Sequence, residues 1–227
     1  VKATLLADKL TQLTPLDSVR ALREGYRRVV GRWPTDATLA VHVAQSALET
    51  GRWKSLHWHN FGNVKAGQSY EGFYCQFRCN ELIGGVAKWF NPPHPQTNFR
   101  AYLTASDGAE AHMRFLQALK RYALAWGEAE RGDPDAFVVA LKQAGYFTAT
   151  LEPYRKAVKS LWGEFMRVIQ TSDLDATEVM LPPAQPEELT HSPMSDADMA
   201  ERLPLVYLEV DWDELRAARD KAVRGDD

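Results

Sequence analysis

Residues 36–65 constrain this chain more than any other stretch. A helical pattern starts at Thr35 or Asp36 as cap, with Leu39, Val43 and Ala47 as an inner stripe and Ala40 and Ala44 beside it. Side chains this small let a second helix approach closely. The pattern runs out at Glu49, a carboxylate off that stripe. Gly51 is placed to stop the helix in the left-handed conformation. Trp53, His57, Trp58, His59 and Phe61 follow within a dozen residues. In the last helical turn Glu49 meets the negative end of the helix dipole, and aromatic neighbours desolvate it. Both effects raise its pKa. A carboxyl group so raised still carries its proton near neutral pH, as general-acid cleavage of a glycoside requires.

At 227 residues the chain is long enough for one large domain, or for one domain and an appendage. No apolar run reaches the ~18 residues of a membrane span. The opening VKATLLADKL is too short and too interrupted, by Asp8 and Lys9, to read as a signal peptide. Charge is unevenly spread. Residues 1–170 carry 22 Lys/Arg and 15 Asp/Glu, a balance of +7, whereas residues 171–227 carry 5 and 15, a balance of −10. A basic body suits a polyanionic partner, and the acidic tail suits docking to a protein partner or to the body itself. No nucleic-acid motif is present, and the aromatic residues gather around a carboxylate, which repels phosphate.

Helical spacing predicts further helices over residues 3–12 and 16–31. In the second, Asp17 or Ser18 is the cap, Val19, Leu22, Tyr26 and Val30 face inward, and Pro34 is the stop. Residues 56–66 read as a loop. Residues 70–90 turn aromatic and β-branched, with strands near 72–78 and 80–90 and Gly84-Gly85 as a hairpin turn. A rigid loop, NPPHPQTN, covers 91–98. Asp107 and Glu110 form a capping box for a helix over 107–126 that turns Met113, Leu116, Leu119 and Tyr122 inward. Asp133 and Pro134 open another helix, which Gly145 closes. A last helix, 152–170, buries Val158, Leu161, Phe165 and Ile169. The reading is a predominantly helical α+β domain over 1–170 with a small β-hairpin lobe. An acidic, Pro-rich linker (171–204) and a short strand and amphipathic helix (205–227) follow.

Cys75 and Cys79 are four apart and fit either a small disulfide loop or two free thiols. A zinc site would need His57, His59 or His94 as well, and their spacing matches no zinc motif.

Ala44, Ala47, Leu48, Glu49, Thr50, Gly51, Trp53 and Ser55, followed by Asn60, Phe61, Gly62 and Lys65, carry a family resemblance. They resemble the core motif of the lysozyme-like glucosaminidases, glycoside hydrolase family 73 with its flagellar-rod and autolysin relatives. That motif is close to A-x-x-A-L-E-S/T-G-W-G-x-S, then N-L-F-G-I-K. Arg52 separates Gly51 from Trp53, and Asn63-Val64 stands where Ile is usual. Phe99-Arg100-Ala101-Tyr102 resembles the family's F-R-x-Y strand. Ala144 to Thr148 resembles its A-G-Y-A-T-D turn, with Ala149 at the Asp and Tyr154 at the following Tyr. The resemblance covers roughly residues 36–165.

The resemblance implies a lysozyme-like fold and a peptidoglycan hydrolase cutting β-1,4 bonds between GlcNAc and MurNAc. An endo-β-N-acetylglucosaminidase is favoured. A muramidase, a lytic transglycosylase or an inert wall-binding module are the alternatives. It implies Glu49 as general acid and Glu81, before the hairpin turn, as second carboxylate, with Glu71 as rival. It puts Tyr146 beside the N-acetyl group or the attacking water. Trp53, Trp58, His59, Asn60, Phe61, Asn63, Lys65, Tyr102 and Tyr154 are its candidate substrate contacts, since rings stack on sugars and amides bond hydroxyl and N-acetyl groups. No metal or organic cofactor and no membrane insertion is implied. Action falls in the periplasm or cell wall, reached through a holin, a phage tail or injection machine, or after removal of a leader.

Overall fold

Thr14 and Pro15 start the first helix. Thr14 Oγ1 accepts the Asp17 N–H, Pro15 takes the first helical position, and Gly31 stops the helix at φ 80° with its N–H on the Arg27 carbonyl. Cap and stop thus differ from the expected Asp17 or Ser18 and Pro34. The Ser18 hydroxyl is engaged instead on the Thr14 carbonyl, 3.0 Å away. The computed structural model describes residues 3–83, 86–147 and 149–175, without the side chains of 81–83 and 87. In chain order the helices are α1 (Pro15–Val30), α2 (Asp36–Glu49), α3 (Ala105–Ala118), α4 (Ala123–Glu130), α5 (Pro134–Gln143) and α6 (Leu151–Thr171). The strands are β1 (Thr4–Leu5), β2 (Phe73–Gln76), β3 (Cys79–Ile83), β4 (Val86–Phe90) and β5 (Asn98–Ala101). The fold is α+β and predominantly α, as the sequence predicts.

Every residue of α2 from Thr38 to Glu49 is buried. The predicted inner stripe is therefore only part of a helix enclosed on all sides, which its small and apolar side chains permit. Its main neighbour is α6, whose Tyr154, Val158, Leu161, Phe165 and Ile169 turn inward. The other large contact is α1 on α3. Gly25 allows it: a Cβ there would lie 2.5 Å from the Ala109 carbonyl carbon. On α3, Gly108 does the same for the loop before β2, where a Cβ would meet the His59 carbonyl oxygen at 2.0 Å.

The expected 107–126 helix is two helices. Thr104 caps α3 by accepting the Asp107 N–H, in place of an Asp107–Glu110 box. The chain then extends at Leu119, makes one 3-10 turn (Lys120–Tyr122) and continues as α4. No Gly or Pro marks this break. It buries Tyr122 completely, so tertiary packing has overridden helical propensity.

Residues 3–12 also depart from expectation, being extended rather than helical. β1 lies parallel to β2, and β5 lies antiparallel on its other side. Thr11 N–H bonds the Leu56 carbonyl at 2.7 Å, and Trp58 N–H bonds the Lys9 carbonyl at 3.1 Å. Leu5 and Leu10 remain about half exposed, so no buried apolar face favours a helix and backbone pairing decides. β3 and β4 form a separate antiparallel hairpin, with Cys79 opposite Phe90 and Ile83 opposite Val86. The expected first strand of the lobe therefore pairs with β5 and β1, not within the hairpin. Cys75 and Cys79 are buried free thiols in a small cluster with Phe90 and Phe99. Burial pushes the Cys75 thiol up to about 12.

The predicted Gly84-Gly85 turn, Thr148, the linker beyond residue 175 and the 205–227 appendage lie outside the described residues. The start of the linker folds onto α1. Arg20 donates to the Asp173 carbonyl at 2.8 Å, and Arg23 pairs with Asp175 at 2.6 Å. No described helix is long and apolar enough to cross a membrane.

Replacing Gly25 by Ala forces α1 and α3 apart and is expected to lower stability by ~1–3 kcal/mol in urea unfolding. Gly127→Ala, in α4 where a Cβ has open space, is expected to raise it by up to about 1 kcal/mol.

Candidate active site

Glu49 is the last residue of α2 and only 8 % exposed. The Tyr154 hydroxyl, from α6, donates to its Oε1 at 2.8 Å. Asn63 Nδ2 donates to its main-chain carbonyl at 2.7 Å, tying the helix end to the following loop. Burial raises the Glu49 carboxyl from an ordinary 4.5 to about 7, and the Tyr154 hydrogen bond opposes the rise. Protonated and ionised forms are both populated near neutral pH.

The chain leaves Glu49 through an unusual turn. Gly51, Arg52 and Trp53 have φ of 55°, 57° and 62° in succession, in the left-handed region. Matched without a gap to E-S/T-G-W-G-x-S, Arg52 occupies the motif's Trp position and Trp53 its second Gly. The backbone explains that motif glycine, because a side chain is strained at this φ. Trp53 is therefore not an open stacking surface. It is 3 % exposed, its Nε1 donates to Ser46 Oγ at 3.2 Å, and its ring meets Phe165 edge-on at 5.4 Å. Arg52 instead clasps Glu164 of α6 through two bonds of 2.6 Å.

The loop from 56 to 66 is mostly framework. Asn60 Nδ2 bonds the Val64 and Arg100 carbonyls, both at 2.9 Å, and its Oδ1 accepts the Val64 N–H. Phe61, a residue expected to have a structural part in this loop, is wholly buried in the main core. Trp58 and His59 adopt left-handed φ of 43° and 57° and face the extended N-terminal residues 3–12, a strap along the edge of β2. Trp58 Nε1 donates to the Ala7 carbonyl at 2.8 Å. The His59 N–H bonds Thr11 Oγ1, while its ring Nδ1 meets the Tyr102 carbonyl at 2.8 Å. Burial lowers the His59 pKa. Lys65 is buried against Gln96, and burial brings its ammonium down to about 8. The Tyr102 hydroxyl is raised by burial, with Arg100 opposing.

Tyr146 is 2 % exposed and its hydroxyl accepts a hydrogen bond from Gln45 Nε2 at 2.5 Å. Gln45 sits one helical turn before Glu49, on the same face of α2. Tyr154 stacks on Phe147, ring centres 4.0 Å apart. The structure thus gathers Glu49, Tyr154, Tyr146 and Asn63 around one helix end. Trp58, His59 and Tyr102 lie together at the strap, and Lys65 lies under the lobe. Glu81 sits in β3 opposite Lys88, while Glu71 is exposed before β2, beside the Gly72 carbonyl that binds the strap's Thr4 N–H. Sequence reasoning missed Gln45, although its spacing of four from Glu49 was available. It also missed the Arg52–Glu164 pair, which no local pattern announces. Among the described residues no group of three or more His, Cys, Asp or Glu is arranged to hold a metal ion.

A family model described as mannosyl-glycoprotein endo-beta-N-acetylglucosaminidase matches residues 34–167. Two solved structures are similar. A peptidoglycan hydrolase mutant from Sphingomonas sp. A1 is 25 % identical with a TM-score of 0.54, over 68 % of this chain and 97 % of that one. A C-terminally truncated glycoside hydrolase domain from Salmonella typhimurium FlgJ is 21 % identical with a TM-score of 0.48, over 68 % of this chain and 99 % of that one. No curated protein matches.

The raised carboxyl has a consequence for folding. Its pKa is higher in the folded chain than unfolded, so its stabilising contribution is complete below pH 4.5 and is lost as pH rises through about 7. Glu49→Gln removes that loss. Urea unfolding at pH 5 and pH 8 is expected to show the variant gaining on the parent by on the order of 3 kcal/mol at the higher pH.

Proposed function

The chain belongs to the glucosaminidase family, and we propose that Glu49 is the general acid with which it cleaves peptidoglycan. The enzyme is a glycoside hydrolase, an endo-β-N-acetylglucosaminidase acting on the β-1,4-linked amino sugars of the wall. The observation that carries the role of Glu49 is its burial at the end of α2, which leaves a large share of the carboxyl groups protonated at neutral pH while 8 % of the residue still reaches the surface. In the reaction Glu49 gives that proton to the glycosidic oxygen as the bond from the anomeric carbon to that oxygen breaks. The sugar passes through an oxocarbenium-like state. A water attacks the anomeric carbon and loses its proton to a second carboxylate.

Glu81 is our choice for that second carboxylate. It lies on the hairpin of β3 and β4, whereas the rival Glu71 lies at the strap side of the sheet. Tyr154 positions the acid through its 2.8 Å hydrogen bond. Tyr146, held by Gln45, is the tyrosine for the N-acetyl group or the water. Asn63 fixes the helix end through its bond to the Glu49 carbonyl, and its Oδ1 is a buried acceptor without a partner. The substrate lies outside the cytoplasmic membrane, so the enzyme works in the periplasm or wall.

Muropeptides released from purified peptidoglycan by the parent and by Glu49→Gln, read by mass spectrometry, test this. Fragments with reducing-end GlcNAc from the parent are expected, with a fall of ~10²-fold or more in the variant. Reducing-end MurNAc or an anhydro product would reassign the bond or the mechanism. Undiminished release by Glu49→Gln would remove Glu49 from its role. Activity of the parent is expected to decline as pH rises above about 7, as Glu49 loses its proton.

A further inference from the structure

α1 carries a row of arginines. Arg20, Arg23 and Arg27 follow each other at spacings of three and four, so they share one face of the helix. Arg28 and Arg32 extend the charge toward the helix end, and between residues 15 and 33 only Asp17 and Glu24 oppose it. Glu24 is itself shared, accepting from Arg27 at 2.5 Å and from Arg28 at 3.2 Å. Trp33 stands two residues after the Gly31 stop and is 47 % exposed. The Arg23 and Arg27 guanidinium carbons lie 4.2 Å and 5.0 Å from its ring centre. This face of α1 therefore ends in a cationic rim around a half-open indole.

The chain that leaves α6 runs along the same row. The Asp173 carbonyl accepts from Arg20 at 2.8 Å, the Leu174 carbonyl accepts from Arg23 at 3.2 Å, and the Asp175 carboxylate pairs with Arg23 at 2.6 Å. The order of these contacts gives the direction, from the middle of α1 toward its C-terminal end. The guanidinium that holds Asp175 is also the one over Trp33. Arg27 lies one turn further, about 6 Å along the axis, which three residues of chain at ~3.3 Å each more than span. Glu178 stands three residues after Asp175, and Val179, Met180 and Leu181 follow it before Pro182-Pro183. Acid and apolar residues thus come in the order in which α1 offers a cation and an indole. Charge matches as well, since residues 176–227 hold 13 Asp/Glu against 5 Lys/Arg.

We propose that residues 176–181 dock on this rim, with Glu178 on Arg27 and the apolar run over Trp33, so that the acidic segment is a built-in ligand of α1. Exposed ion pairs are individually weak. A segment already held at Asp175, however, meets the rim at high effective concentration, and a few weak contacts then suffice. Docking withdraws the arginines of α1 from other anions. It is independent of the role of Glu49.

The test is paramagnetic broadening in the full chain. A nitroxide is placed on Ala184→Cys, and Cys75 and Cys79, both buried, do not take it. The Trp33 indole N–H, assigned by its loss in Trp33→Phe, and the Arg27 amide are read in 15N spectra at low salt. Both are expected to lose roughly half of their intensity or more, and Glu178→Lys with Met180→Asp is expected to return most of it. High salt is expected to return part of it by screening the Glu178 pair. Arg27→Glu is expected to weaken the broadening and Arg27→Glu with Glu178→Lys to bring it back, a rescue that a segment merely tethered nearby does not show. Equal broadening in the parent and in the Glu178→Lys, Met180→Asp chain overturns the proposal. So does broadening that requires mixing nitroxide-bearing chains with 15N-labelled chains, because the segment then covers a second copy. A Trp33 indole indifferent to these substitutions but shifted by added muropeptides gives the rim to the wall instead, and also overturns it. Substitutions at 178 and 180 leave the described core untouched, so a changed signal is not a failure to fold. The spectra need no turnover, so their outcome is separate from that of Glu49→Gln.

Discussion

The structure depends on enclosing α2 completely while leaving a carboxyl group at its end. A helix built from Ala, Val, Leu and short polar side chains can be surrounded by α1, α4 and α6 at close range. An acidic residue on its last turn then loses most of its water. The raised proton affinity of Glu49 follows from that loss more than from the helix dipole, and the Tyr154 hydrogen bond limits it. Chemistry and packing are thus one arrangement here. The closer α6 lies on α2, the better Tyr154 holds Glu49 and the less solvent reaches it.

The turn after Glu49 shows how a family motif can be altered without losing its path. Three successive residues keep the left-handed backbone, although only Gly51 suits it. Trp53 tolerates the conformation because its ring gains a buried slot against Phe165 and a hydrogen bond from its Nε1 to Ser46. Arg52 gains two bonds to Glu164. Both anchor the turn to the same helix, α6, that carries Tyr154. The strain of the backbone is offset by side-chain contacts that a glycine cannot make.

Features written locally were legible in the sequence. Asp133-Pro134 and Gly145 delimit α5, the three- and four-residue spacing of Val158, Leu161, Phe165 and Ile169 gives α6, and Gly51 marks the end of α2. What failed depended on partners far along the chain. Residues 3–12 resemble a short helix until β2, some 70 residues on, offers its backbone. Nothing near Leu119 signals a helix break; the break exists because Tyr122 fills space beside Tyr146. Trp53 looks like a sugar platform by composition, and only the core shows that its face is taken. Glu49 was visible from the motif around it, whereas its side-chain partner Tyr154 lies 105 residues on.

The strap at the start of the chain sets a limit on where this domain can be cut. The family match begins at residue 34, yet β1 covers one edge of β2, and Lys9 and Thr11 hold the loop that leads away from Glu49. α1, also outside the match, supplies the surface on which α3 rests. Homology and cooperative folding therefore have different borders in this protein. A fragment trimmed to the matched stretch would carry every residue of the family motif. It would also carry a bare strand edge, open to pairing with other chains.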